Sequence, residues 1–194
     1  MDLLNPGDLK WGAGNKFYNQ IIELKFQQPE LKTILSIGGT CDFKDMVIDD
    51  DKRQKFVKSA ADFVNLFNFD GVDIDISQPI KNRQDLTNLI NELKEVLPEK
   101  LVTISVPTTL KRFDSVYDVP AIAAVVDFVN ILTIPKSTSF IGGDLKSSNT
   151  FDEMYNWVSN GMSKDKLVVG MGINENISRN SVGFDFTLDA KVLQ

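Results

Sequence analysis

The chain reads as an α/β protein built on a parallel sheet, and three observations predict it. Five short runs, Leu31–Ile37, Gly71–Ile76, Leu101–Val106, Phe128–Ile134 and Leu167–Met171, are almost continuously apolar. That is the pattern of strands buried on both faces. Amphipathic helical stretches lie between them, and strictly alternating strands and helices imply parallel strands joined by right-handed crossovers. Five such strands suit either a doubly wound sheet or part of a (β/α)8 barrel.

Each element has its own signal. A first helix is predicted over Asn15–Gln27, with Pro29 marking its end. Phe56, Ala60, Phe63, Val64 and Phe67 recur at helical spacing after the first strand, and Leu86, Leu89, Ile90, Leu93 and Leu97 do so after the second. Phe151, Met154, Tyr155 and Val158 form a third such stripe, and Gly161 follows where a helix would end. Residues 173–194 read as loop with a weak strand around Gly183–Leu188. With no repeat, low-complexity tract or linker, residues 1–194 read as one domain.

Composition narrows the function. The 194 residues are 42% hydrophobic, enough for a real core, and carry a net charge of -6. A negative balance argues against nucleic acid or an anionic membrane as partner. Asp49-Asp50-Asp51 reads as a solvated loop, and no apolar run approaches the roughly 18 residues of a membrane span. The first residues lack the basic and apolar regions of a signal peptide. Cys41 is the single cysteine, so no internal disulfide is expected. There is no histidine. Ser-His and Cys-His nucleophiles and histidine metal clusters are therefore excluded, and neither metal nor cofactor is expected. Asn176-Ile177-Ser178 fits a glycosylation acceptor, a triplet common by chance.

The most informative stretch is Phe69-Asp70-Gly71-Val72-Asp73-Ile74-Asp75-Ile76-Ser77-Gln78-Pro79. Side chains alternate along a strand, so Val72, Ile74 and Ile76 share one face while Asp73, Asp75 and Ser77 share the other. Buried acids are costly and tend to mark a site. Ser77 falls at the strand's C-terminal end, where parallel α/β folds place their chemistry. The alternative is a buried, hydrogen-bonded acid pair kept for packing. Asp70 reads as a structural turn residue. Gly38 and Gly39 either admit a ligand or relieve crowding at a strand end, and crowding is favoured. An Asp-x-Asp after an apolar run also suggests a haloacid-dehalogenase-type phosphotransferase, but no downstream acidic or lysine motif in register supports it.

Four stretches together resemble glycoside hydrolase family 18, the chitinases and their inactive chitinase-like relatives. Leu31–Gly39 is similar to the family's third strand with its Ser-x-Gly-Gly ending. Asp70-Gly71-Val72-Asp73-Ile74-Asp75 resembles the opening of the Asp-x-x-Asp-x-Asp-x-Glu signature on the fourth. Tyr117–Ala121 with Asp127–Thr133 resembles the approach to the sixth, and Lys166–Gly170 the seventh. The resemblance is strongest over residues 15–176. It implies a partial (β/α)8 TIM barrel, strands three to seven with their helices. The first two strands and the eighth have no counterpart, which leaves open ladder edges at Leu31–Ile37 and Leu167–Met171.

The same resemblance implies lost chemistry. In the family the last signature residue is a glutamic acid that protonates the leaving oxygen, while the aspartate before it orients the substrate's own acetamido nucleophile. Here Ser77 holds the acid's position, and an alkyl hydroxyl is far too weak an acid to replace it. The tyrosine that holds the acetamido carbonyl aligns with Ile134, and a later tyrosine with Asn174. Sugar-stacking aromatics align with Thr40, Ile76 and Gln78. No catalytic set is then intact, and Asp70, Asp73, Asp75 and Ser77 are its vestige. A residual ligand set would be Gly38, Gly39, Asp75, Ser77 and Thr133. The implied function is non-hydrolytic binding of a chitin-type oligosaccharide or a protein receptor, in an extracellular setting. The alternatives are a glycosidase with a displaced acid, such as Asp114 or Glu175, and a protein-interaction module that binds no sugar.

Overall fold

The computed structural model describes residues 14–38, 43–76, 80, 82–107, 113–132 and 147–170. Helix α1 (Gly14–Gln27) leads into strand β1 (Ile34–Gly38). Helices α2 (Lys44–Ile48) and α3 (Asp50–Leu66) precede β2 (Gly71–Asp75), and α4 (Arg83–Val96) precedes β3 (Leu101–Pro107). Helices α5 (Phe113–Val116) and α6 (Val119–Val125) lead to β4 (Phe128–Leu132). Helix α7 (Ser147–Ser159) and a 3-10 turn at Lys164–Lys166 lead to β5 (Leu167–Gly170).

The five strands are parallel and lie in the sheet in the order β1-β2-β3-β4-β5. A doubly wound sheet reverses its order at a switch point; this one never reverses. It is a run of consecutive units of a (β/α)8 barrel, which decides between the two architectures the alternation allowed.

Register sorts the side chains. Ser36, Asp73 and Thr103 are aligned across three strands, as are Gly38, Asp75 and Ser105, with Ser105 opposite Asn130. These positions share the concave face. Val72, Ile74, Val102, Ile104, Val106, Val129 and Ile131 alternate with them and are fully buried under the helices. Phe56, Ala60, Phe63 and Val64 of α3 and Leu86, Leu89, Ile90 and Leu93 of α4 complete that layer, as their spacing predicts. Among the described residues β1 and β5 form the sheet's edges and are less buried than β2 and β3.

Three expectations are corrected. Asp49-Asp50-Asp51 is not a loop: Asp49 caps α3 by accepting from the Lys52 backbone N–H at 3.0 Å, and the other two lie in the first turn. There they meet the positive end of the helix dipole. The stripe on α7 is displaced. Phe151 and Tyr155 are exposed, whereas Glu153 and Trp157, also one turn apart, are buried. Of the predicted stripe, Met154 packs on the core and Val158 is half-buried, so only its aromatic members face out. Strand β1 begins at Ile34 rather than Leu31, because the Thr33 N–H is taken by the Asp70 carboxylate at 2.7 Å. Gly161 does end α7: its φ is +107°, its N–H reaches Val158 O, and Met162 N–H reaches Trp157 O. Thr133, Ile134, Met171 and the weak strand at Gly183–Leu188 lie outside the described residues. Among those described, no helix is long and apolar enough to cross a membrane.

One buried cation ties three helices together. Arg53 is 5% exposed; its Nε donates to Glu92 Oε1 at 2.8 Å, one terminal nitrogen to Val47 O at 2.9 Å, the other to Asp50 Oδ1 at 2.8 Å. The Glu92 and Asp50 partners hold its guanidinium above the usual arginine range, against the opposing effect of burial. Arg53→Met would strand Glu92 and the Val47 carbonyl, and should lower the unfolding free energy in urea by about 2 kcal/mol or more. Lys58→Ala, which removes an exposed pair with Asp62, should barely move the midpoint.

Candidate functional site

The concave face carries its polarity in a band at mid-strand. Asp73 is 5% exposed, and every partner it has is a donor. Ser36 Oγ of β1 and Ser105 Oγ of β3 donate to Oδ2, each at 2.8 Å. Thr103 Oγ1 of β3 donates to Oδ1 at 2.7 Å, and Asn130 Nδ2 of β4 donates to the same oxygen at 3.1 Å. Donors alone are what a carboxylate's two oxygens require. One aspartate thus joins four neighbouring strands.

Asp75 lies two residues on, at the C-terminal end of β2, in register with Gly38 and Ser105 and half-buried. Gly38 has φ +137°, and a Cβ there would stand 2.3 Å from Asp75 O and 2.8 Å from a Phe43 ring carbon. A glycine is required by the packing of β1 on β2, whatever approaches from above. Gly39, Ser77 and Thr133 lie outside the described residues, as do Thr40, Gln78, Ile134, Asn174, Glu175 and the Asp114 side chain.

Asp70 stands at the opposite, N-terminal end of β2. It accepts from Thr33 N at 2.7 Å and Thr33 Oγ1 at 3.1 Å, and pairs with Lys25 Nζ of α1 at 2.8 Å. Burial would raise its pKa, but Lys25 and Thr33 outweigh that and hold the carboxyl below its usual range. The same device recurs two strands away. Asp127, just before β4, accepts from Val102 N at 2.8 Å and from Lys94 Nζ of α4 at 3.1 Å. In both, an aspartate preceding one strand holds the start of its neighbour and a helix lysine. At this end of a parallel barrel such groups serve stability.

The structure therefore brings Asp73, Asp75 and Gly38 together and separates Asp70 from them by the length of the strand. Ser36, Thr103, Ser105 and Asn130 were not singled out from the sequence as Asp73's partners. A signal was present: each is a polar residue inside an otherwise apolar run, on the parity that shares a face with Asp73. Among the described residues no cluster of three or more cysteine and acidic side chains could hold a metal.

Successive parallel strands in unreversed order, with their polar side chains gathered on the concave face, make this a partial (β/α)8 barrel. The profile described as glycosyl hydrolases family 18 matches residues 3–183, and the chain belongs to that family. It is 30% identical over 188 residues to mouse Chitotriosidase-1, covering 79% of this chain and 40% of that protein. It is 30% identical over 185 residues to human Chitinase-3-like protein 2, covering 79% of this chain and 47% of that one. Crystal structures of YKL-39 in the presence of chitooligosaccharides superpose with TM-score 0.68 at 27% identity, over 82% of this chain and 52% of that one. The chain spans about half of that structure's length and less than half of those two relatives.

Removing Asp73 tests its place in the scaffold. Asp73→Ala leaves four donors without their shared acceptor, and should cost about 3 kcal/mol or more of unfolding free energy in denaturant titration. A loss under about 1 kcal/mol would mean that water replaces the carboxylate and that the network holds little.

Proposed function

We propose that the chain is a chitinase-like protein that keeps the family's barrel scaffold, binds a chitin-type oligosaccharide and does not hydrolyse it. One observation carries the reading: Ser77 stands where the family's signature has its proton-donating glutamic acid. The resemblance assigns Ile134 and Asn174 to positions where tyrosines would hold the reacting acetamido group. Loss of the acid alone removes roughly 10²–10⁴-fold in rate; loss of the acetamido partners removes the nucleophile's orientation as well.

The remaining concave face supports binding rather than turnover. The oxygens of Asp73 are engaged by Ser36, Thr103, Ser105 and Asn130, which makes it a fixed part of the floor. Asp75 lies nearer the strand ends and is the carboxylate better placed for a sugar amide or hydroxyl. YKL-39, similar in fold and 27% identical, has been crystallised in the presence of chitooligosaccharides, which favours a sugar over a protein as the ligand of this face. In this proposal Gly38, Gly39, Asp75, Ser77 and Thr133 line the ligand, and the setting is extracellular.

Incubated with N-acetylglucosamine tetramer over a range of pH, the chain should release no shorter products, while calorimetric titration with the same tetramer should show binding that Asp75→Ala weakens. Turnover abolished by Asp114→Asn or Glu175→Gln would establish a displaced acid. Absence of heat at millimolar sugar would leave the protein-interaction module. Ser77→Glu alone should not restore cleavage, because Ile134 and Asn174 are unchanged. Efficient cleavage by that variant would overturn the assignment of multiple losses.

A further inference from the structure

Outside the concave face, one buried group has no part in sugar binding. Glu153 lies on α7, which packs against β4, and is 4% exposed. Among the described residues its Oε1 has no hydrogen-bond partner, nor do two other buried polar atoms beside it, Tyr117 Oη and Trp157 Nε1. Phe113, Tyr117 and Trp157 pack mutually with ring centroids 4.9–5.3 Å apart. A carboxyl therefore sits against an aromatic seat made by α5, the residue following it and α7 itself. Such a setting tolerates a neutral acid far better than a carboxylate.

Among the described residues, the groups around Glu153 offer no counter-charge. Tyr117 is the titratable group that senses Glu153, and burial followed by that carboxylate's repulsion pushes its phenol well up. The outward residues of β4, Val129 and Ile131, are apolar, as are Val119 and Ile122 of α6. Asp118 caps Ala121 N, and Lys166 Nζ is held by Ala123 O and Val126 O. Among the described residues no cation acts on Glu153.

We propose that Glu153 is a proton-controlled latch: uncharged, it lets α7 seat its Trp157 against Phe113 and Tyr117; ionised, it loosens that helix and with it the approach to β5. The energetics run the same way. Burial raises the Glu153 carboxyl from 4.5 to about 7; the indole N–H of Trp157, close to the carboxyl but outside hydrogen-bond geometry, offsets part of the rise. A raised acid stabilises the fold fully below its unfolded value, and that stability is lost as pH rises through the folded one. The chain has no histidine, so no imidazole titrates in this window to obscure the effect.

Urea unfolding of the full chain, followed by circular dichroism from pH 5 to 8.5, tests the latch. The folding constant should fall by up to about tenfold per pH unit up to about pH 7 and level off above it, whereas Glu153→Gln should be flat over the same range. Parallel slopes for the two proteins would overturn the proposal. If Glu153→Gln does not fold, infrared spectra of the unaltered chain decide. A neutral carboxyl band at pH 6 that vanishes by pH 8.5 supports the latch; no such band at pH 6 refutes it.

Discussion

The Asp73 carboxylate and its four donors are the constraint on which the concave face depends. A parallel sheet with one polar face inside a barrel must satisfy that polarity from its own strands, because buried polar groups left unpaired are expensive. Here Ser36, Thr103, Ser105 and Asn130 converge on one aspartate from strands on either side. The convergence works only in the observed register. A slip of one residue on β3 would turn Thr103 and Ser105 toward the helices and bring Val102 and Ile104 to the acid. The network thus specifies strand alignment as well as contributing stability.

The two ends of the strands do different work. At the N-terminal end, Asp70 and Asp127 each bind a backbone N–H at the start of a neighbouring strand, Thr33 and Val102, and a lysine from a preceding helix, so sheet and helix layer are fastened by one repeated device. At the C-terminal end, β1 runs so close to β2 that Gly38 admits no side chain. Tight packing at that rim holds the Asp75 backbone against β1. A barrel can lose its acid at the rim and keep its scaffold, because the groups that hold the strands lie below the groups that would act on a substrate. Ser77 in place of a glutamic acid is compatible with this division.

Much of this was legible in the residues. The continuous apolar runs located all five strands, and the parity of Val72, Ile74 and Ile76 against Asp73 and Asp75 assigned the faces of β2. Helical spacing found the buried sides of α3 and α4. What escaped were features set by tertiary partners. The helical stripe placed Phe151 and Tyr155 inward; Met154 does pack on the core, but α7 leaves the two aromatics outside and carries Glu153 inward beside Trp157. The acidic triplet resembled a loop because capping is decided by where the next helix starts. The donors to Asp73 were invisible one strand at a time, since a lone serine or threonine in a strand has no address until register is known.

The central proposal is that the rim has lost both proton donation and the hold on the acetamido nucleophile, leaving a binding face. An aryl glycoside of an N-acetylglucosamine oligomer, with a nitrophenolate leaving group that departs without protonation, separates the two losses. Mixed with this chain, it should release no phenolate above the buffer rate while still binding. Steady release would show that the acetamido group is still held for attack, and that only the acid is missing.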